Sequence, residues 1–223
     1  MAEYACPSCG APIPFRSSFS VYAVCRSCGS TVLRTDRDVS VIGKMADLPD
    51  EMTPFQVGTG LSWQGQTYGL AGRVRMAWAD GAWNEWFIDS AARKGWLCEA
   101  QGSLALAFET EVPPRLAGPA KLGDVVDLAA EHFRISDIKR ATCIGSEGEL
   151  PFPAPRGRSA TYYDMLSPVG GFAGLEDSDE GRRLYIGHYV EFDDLQFTNL
   201  REVEGWRVPH DLAAEGFPRP PPR

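Results

Sequence analysis

Between residues 67 and 78 the side chains alternate. Tyr68, Leu70, Gly72, Val74, Met76 and Trp78 fall on one face, and Gly69, Ala71, Arg73, Arg75 and Ala77 fall on the other. A period of two over this length predicts a half-buried strand, bent near Gly69 or Gly72. Asp80-Gly81 offers a tight turn, and residues 83–88 form the returning strand. Lys94-Gly95 turns into Trp96-Leu97-Cys98-Glu99-Ala100, and Gln101-Gly102 turns into Leu104-Ala105-Leu106-Ala107-Phe108. The pattern is an antiparallel meander with short connections.

Pro113-Pro114 and Gly118-Pro119 break the pattern, and a second apolar run opens at Leu122-Gly123. The second run can be laid on the first. Val57-Gly58 matches Leu122-Gly123, and Tyr68-Gly69-Leu70 matches Phe133-Arg134-Ile135, about 65 residues on. Trp86-Phe87-Ile88-Asp89 resembles Tyr162-Tyr163-Asp164-Met165. Gly95-Trp96-Leu97 resembles Gly171-Phe172-Ala173, and Leu104-Ala105-Leu106 matches Leu184-Tyr185-Ile186. The expected fold is therefore mostly β: two degenerate five-strand meanders, pseudo-repeats 57–110 and 122–200, forming an antiparallel barrel or a sandwich. Either arrangement removes exposed strand edges. The second unit carries an insertion, 147–158, whose Leu150-Pro151-Phe152-Pro153-Ala154-Pro155 is expected to be extended and exposed.

Ahead of the β domain (57–205) stand a module at 1–42 and a linker at 43–56, with a short helical turn expected near Asp50-Glu51-Met52. Behind it lies a tail, 206–223, whose proline-rich end is expected to be disordered. The module carries Cys6-Pro7-Ser8-Cys9-Gly10 and, with fifteen residues between Cys9 and Cys25, Cys25-Arg26-Ser27-Cys28-Gly29. Two residues between paired cysteines let a tight turn aim both sulfurs at one ion, and the following glycine accepts the left-handed backbone such a turn uses. Cys6, Cys9, Cys25 and Cys28 are thus expected to bind one zinc ion as a rubredoxin-like ribbon. Four thiolates leave no open coordination position, so the site reads as structural. About 30 residues bury too little to fold alone, and the metal would supply most of the module's folding energy.

The formal net charge is -8, from 22 basic and 30 acidic residues. An acidic surface repels phosphate backbones and argues against nucleic-acid binding, although Arg16, Arg26, Arg34 and Arg37 are local positives in the ribbon. There is no secretory signal and no run of the ~18 to 20 apolar residues that cross a bilayer, so a cytoplasmic protein is expected. Cysteines in that compartment point to metal before disulfides.

Several of these residues carry a resemblance. Gly58-Thr59-Gly60, Gly72-Arg73, Trp83-Asn84-Glu85-Trp86, Trp96-Leu97-x-Glu99-Ala100, Gly148-Glu149-Leu150-Pro151 and Tyr163-Asp164 resemble the bacterial family named domain of unknown function 4178. The resemblance covers roughly residues 1 to 205. It implies no catalytic residue, because the family's activity is not established. It does imply company: members resemble partners of spermidine-synthase-like proteins and small membrane proteins, in gene neighbourhoods linked to envelope stress.

Glu85 and Glu99 stand beside Trp86 and Trp96, and Asp164 and Glu176 hold comparable places in the second unit. Carboxylates against aromatic walls could bind a polyamine or another organic cation. The alternative for each is an ordinary solvated acid on a strand's outer face. His132, His188 and His210 are not at ligand spacing, and Cys98 and Cys143 read as small buried apolar residues; Cys98 with His188 is the one nucleophile–base pair to weigh. No phosphate-binding glycine motif or nucleophile elbow is present. The expected function is a noncatalytic, zinc-binding adaptor or ligand-binding protein with a protein partner. The alternatives are a small-molecule enzyme with Glu85 and Glu99 at the barrel's mouth, or nucleic-acid binding through the ribbon.

Overall fold

The computed structural model describes residues 2–35, 38–45, 48, 52–90 and 92–205. Arg37, Asp50, Glu51, His210 and the tail at 206–223 lie outside the described residues. In chain order the strands are β1 (Ala2–Ala5), β2 (Pro12–Phe15), β3 (Tyr22–Val24), β4 (Ser30–Arg34), β5 (Val39–Lys44), β6 (Gly60–Trp63), β7 (Gln66–Trp78) and β8 (Gly81–Asp89). There follow β9 (Lys94–Ala100), β10 (Ser103–Thr110), β11 (Val125–Leu128), β12 (Glu131–Leu150), β13 (Ser159–Leu166), β14 (Gly171–Ser178) and β15 (Gly181–Val190). Among the described residues the only helical segments are two 3-10 turns, Pro114–Leu116 and Phe192–Leu195. No helix there is long and apolar enough to cross a membrane.

Eight strands close into an antiparallel barrel, which decides between barrel and sandwich. β7 to β10 form one meander and β12 to β15 the other. They meet at two seams: β10 pairs β15, with Leu106 opposite His188, and β12 pairs β7, from Thr142 opposite Ala77 to Gly148 opposite Gly72. Both seams need glycine. A Cβ on Gly72 would collide with the carbonyls of Glu147 and Glu149, and one on Gly187 with the carbonyl of Leu106. Gly72, a motif position in the sequence, and Gly187, which no motif marked, are thus places where two backbones approach too closely for any side chain.

Each meander is extended by one strand, β6 on β7 and β11 on β12, giving five strands per half. The halves share a backbone device at the spacing read from the sequence. Gly58 N–H donates to the Leu70 carbonyl and Leu70 N–H to that of Thr59, both at 2.8 Å; Gly123 donates to Ile135 at 2.8 Å and Ile135 to Asp124 at 2.9 Å. A bulge follows in each, between Leu70 and Gly72 and between Ile135 and Asp137. The later strands align differently from the sequence comparison. Leu97 lies opposite Trp86 and Leu106, as Leu175 lies opposite Tyr163 and Leu184. Trp86 therefore corresponds to Tyr163, a slip of one residue, and Leu97 to Leu175, a slip of two.

The bulge at Ala71 also corrects the reading of residues 67–78 as one face. Tyr68 and Leu70 pack outside the barrel, whereas Val74, Met76 and Trp78 belong to the cluster inside it. Straps cover the outside. Phe55, Leu195, Phe197 and Leu200 bury Trp86, Ile88, Leu97 and Leu106 of the first meander. Leu116 and β11 bury Ile135, Met165 and Leu175 of the second. Fully burying such a side chain contributes about 1.5–3 kcal/mol, so both barrel walls are stabilised from two sides.

The ribbon docks on one end of the long β12. Tyr22 pairs with Leu150 and Ala23 with Glu149, and Tyr22 is fully buried beside Leu150, Val74 and Met76. One Glu149 carboxylate oxygen accepts the backbone N–H groups of Arg16 (2.8 Å) and Ser17 (3.1 Å). The insertion after β12 is not the exposed arm expected. Leu150 and Ala154 are fully buried, and Phe152 packs on Trp96 at a ring separation of 5.6 Å.

Candidate functional site

The two cysteine turns are built alike. Gly10 N–H donates to the Cys6 carbonyl and Cys6 N–H to that of Ala11; Gly29 donates to Cys25 and Cys25 to Ser30, all at 2.8 Å. Gly10 and Gly29 take φ of 75° and 70°, in the left-handed region that frees the turn to point its sulfurs inward. The four Sγ atoms lie within 4.8 Å of one another, with 3.8 Å separating Cys6 from Cys28 and Cys9 from Cys25. Burial pushes the Cys25 thiol up to about 11, while contacts with Ser30 hold Cys28 down at about 6. This donor set can hold a metal ion.

A second site lies inside the barrel. A cavity of about 330 Å³ is lined by inward side chains from all eight strands. Small residues, Cys98, Ala100, Ala105, Ala107 and Gly174, lie among aromatic ones: Trp78, Trp83, Trp96, Phe152 and Tyr162 make an aromatic wall, and Phe172 and Tyr185 pack on Ala105 and Ala107. An eight-stranded barrel is wide enough to hold one small ligand, and the small residues leave that room unfilled. The aromatic wall is internally packed: Trp83 meets Trp78 at 5.4 Å and Tyr162 edge-on at 5.1 Å.

Three carboxylates face this space. Trp83 Nε1–H donates to Glu85 Oε1 at 2.9 Å. Lys139 Nζ lies 2.8 Å from Asp164 and 2.6 Å from Asp137, with its ammonium over the rings of Trp78 and Trp83 at 5.5 and 5.7 Å. Glu176, almost fully buried, meets Arg158 at 2.6 Å and Arg183 at 3.1 Å. Both arginines reach on to Glu180 and stack on Phe152, which sits across the far end of the lumen. Burial, with the charges of Glu176 and Asp164 added, pushes the Glu85 carboxyl up to about 8, against the pull of Trp83 and Arg158. Burial also raises the thiol of Cys98 and the phenols of Tyr162 and Tyr185.

Of the residues singled out in the sequence, Glu85, Trp96 and Asp164 come together in the lumen, joined by Glu176 and Cys98. Trp86 and Glu99 point the other way. One Glu99 oxygen accepts three donors there: Thr53 Oγ1–H at 2.9 Å, Asn84 Nδ2–H at 3.0 Å and Trp86 Nε1–H at 3.0 Å. Arg73 stacks on Trp86 at 4.8 Å and reaches Glu147 at 2.7 Å. The two glutamates expected at one mouth thus sit on opposite faces of the same two strands. Cys98 and His188 are also parted, because Cys98 faces the lumen while His188 stands near Trp63 outside it. Sequence reasoning missed Lys139, Phe152, Arg158, Tyr162 and Tyr185 as parts of one site.

The model of the family described as Domain of unknown function (DUF4178) matches residues 56–192. The chain belongs to this family. The DUF4178 match contains all eight barrel strands with β6 and β11, and the cysteine ribbon stands in front of it. No curated protein matches the chain, and no solved structure matches it.

Proposed function

We propose that this DUF4178 protein is a noncatalytic binding protein whose barrel lumen holds a small organic molecule. The observation that carries the reading is the aromatic-walled cavity of about 330 Å³, within the size range of small-ligand sites and lined by a few convergent polar groups. Titration with small aromatic probes, followed by tryptophan fluorescence of Trp78, Trp83 and Trp96, tests it. Ala105→Trp fills the lumen and is expected to abolish the response while leaving the circular dichroism spectrum unchanged. An unaltered response in that variant overturns the reading.

In the same proposal the ribbon carries one structural zinc ion. A tetrahedron with metal–sulfur bonds of about 2.3 Å sets its sulfurs about 3.8 Å apart, and the Cys6–Cys28 and Cys9–Cys25 pairs have that spacing. Elemental analysis should find one zinc per chain, and chelation should release the ribbon from β12. A metal-free protein with an intact ribbon would contradict this. A protein partner, membrane-associated or spermidine-synthase-like, in a polyamine-linked or envelope-stress system rests on the family resemblance alone; affinity capture from the native host tests it.

One observation favours an enzyme instead. A carboxyl held near 8 inside a cavity is a common sign of an acid–base catalyst. Chemical change in a ligand incubated with the protein, lost in Glu85→Gln, would decide for that reading.

A further inference from the structure

The charges facing the lumen are unequally matched. Asp164 is paired with Lys139, which it shares with Asp137, and Glu176 with Arg158 and Arg183. Glu85 is different: among the described residues no basic side chain lies within ion-pairing distance of it, and its one hydrogen bond is to the Trp83 indole. Lys139 already shows what the aromatic wall accepts, since its ammonium rests over Trp78 and Trp83 near the cavity.

We infer that the lumen takes a monovalent organic cation with a flat apolar body, such as an arylalkyl amine or quaternary ammonium, with Glu85 as its counter-ion. A linear polyamine fits less well. It needs several free carboxylates along its length, and the other two in this cavity are held by Lys139, Arg158 and Arg183. Breaking those pairs would leave buried charges uncompensated. This inference rests on the lumen being a ligand site and names the ligand's charge and shape.

The pairing makes binding proton-linked. With its carboxyl held up near 8, Glu85 carries a proton in the free protein at neutral pH, and the incoming cation takes that proton's place. Around it stand Glu176, Asp164, Arg158 and Lys139, with the thiols of Cys98 and Cys143 and the phenols of Tyr162 and Tyr185. Burial raises those thiols and phenols, so they stay neutral where Glu85 titrates. Affinity for a permanent cation should therefore rise about tenfold per pH unit up to about 8 and level off above it.

The test uses the full metal-loaded chain, calorimetry and three probes: benzyltrimethylammonium, its neutral isostere neopentylbenzene, and spermidine. At pH 7.5 the quaternary cation is expected to bind at least tenfold more tightly than spermidine. Glu85→Gln should lose at least tenfold in affinity for that cation, together with the pH dependence, while keeping the isostere's affinity. Glu85→Asp keeps the charge and should keep the pH dependence. Tighter binding of spermidine, or a Glu85→Gln variant with unchanged affinity and pH profile, overturns the inference. Binding of the isostere alone sinks the inference and leaves the lumen a ligand site; binding of none of the three sinks both.

Discussion

The inner and outer faces of β8 and β9 carry the same kinds of residue and treat them oppositely. Outside, Glu99 collects three donors from Thr53, Asn84 and Trp86 on one oxygen, beside the strap that carries Phe55, and it lines a surface cleft there. Inside, Glu85 has one donor and borders open space. A carboxylate whose acceptor capacity is used by its own chain is part of the framework. One left short of partners, at the edge of a cavity, is available to something from outside. Proximity to tryptophan, which both glutamates share, distinguishes nothing.

The comparison can be broken most forcefully from the outside. Glu99→Ala leaves three donors of buried residues without an acceptor, at about 1–3 kcal/mol each before water enters, and about 3 kcal/mol in all is expected. Thermal unfolding should drop by roughly 6–12 °C, with much of the loss restored in Glu99→Gln. A loss under about 1 kcal/mol would mean that Glu99 is not framework.

The next effect belongs to the inner face and depends on pH. The Glu85 carboxyl titrates at about 8 in the folded chain and near its ordinary 4.5 when unfolded. Between those values the folded form holds a proton that the unfolded form has released. Stability from this group is therefore full below about 4.5 and is lost as pH rises toward 8, at about 1.4 kcal/mol per pH unit. Denaturant unfolding at pH 6, 7 and 8 should show that decline, and Glu85→Gln should flatten it. Smaller again is Trp86→Phe, which removes one of the three donors to Glu99 and some packing, for about 1–2 kcal/mol in the same assay. Smallest in stability is Trp83→Phe. It deprives Glu85 of its hydrogen bond and should move the midpoint of the pH decline upward, with little change at pH 6.

Much of this was legible in the sequence. The cysteine cluster followed from the repeated C-x2-C spacing, because that chemistry is local. The strands, the turn at Gln101-Gly102 and the two five-strand meanders followed from alternation and turn residues. The facing of side chains did not. β8 and β9 are buried on both sides, by the lumen's aromatic wall within and by Phe55 and Phe197 without, so apolar residues occupy both parities and the period-two signal disappears. The bulges at Ala71 and Ser136 shift parity within a strand, and a one-residue slip between the halves exchanged inner for outer positions. Asp164 thus reached the lumen although its structural counterpart is Phe87, not Glu85. The placement of Lys139, Arg158 and Phe152 depends on β12 meeting both β7 and β13, a long-range fact that no local pattern carries.

The two glycine-lined seams have a kinetic consequence. Each joins residues roughly seventy to eighty positions apart in the chain, so neither can zip until both meanders exist and meet. Assembly of this polypeptide should be slow for its size, and the lumen should be the last compartment to be enclosed.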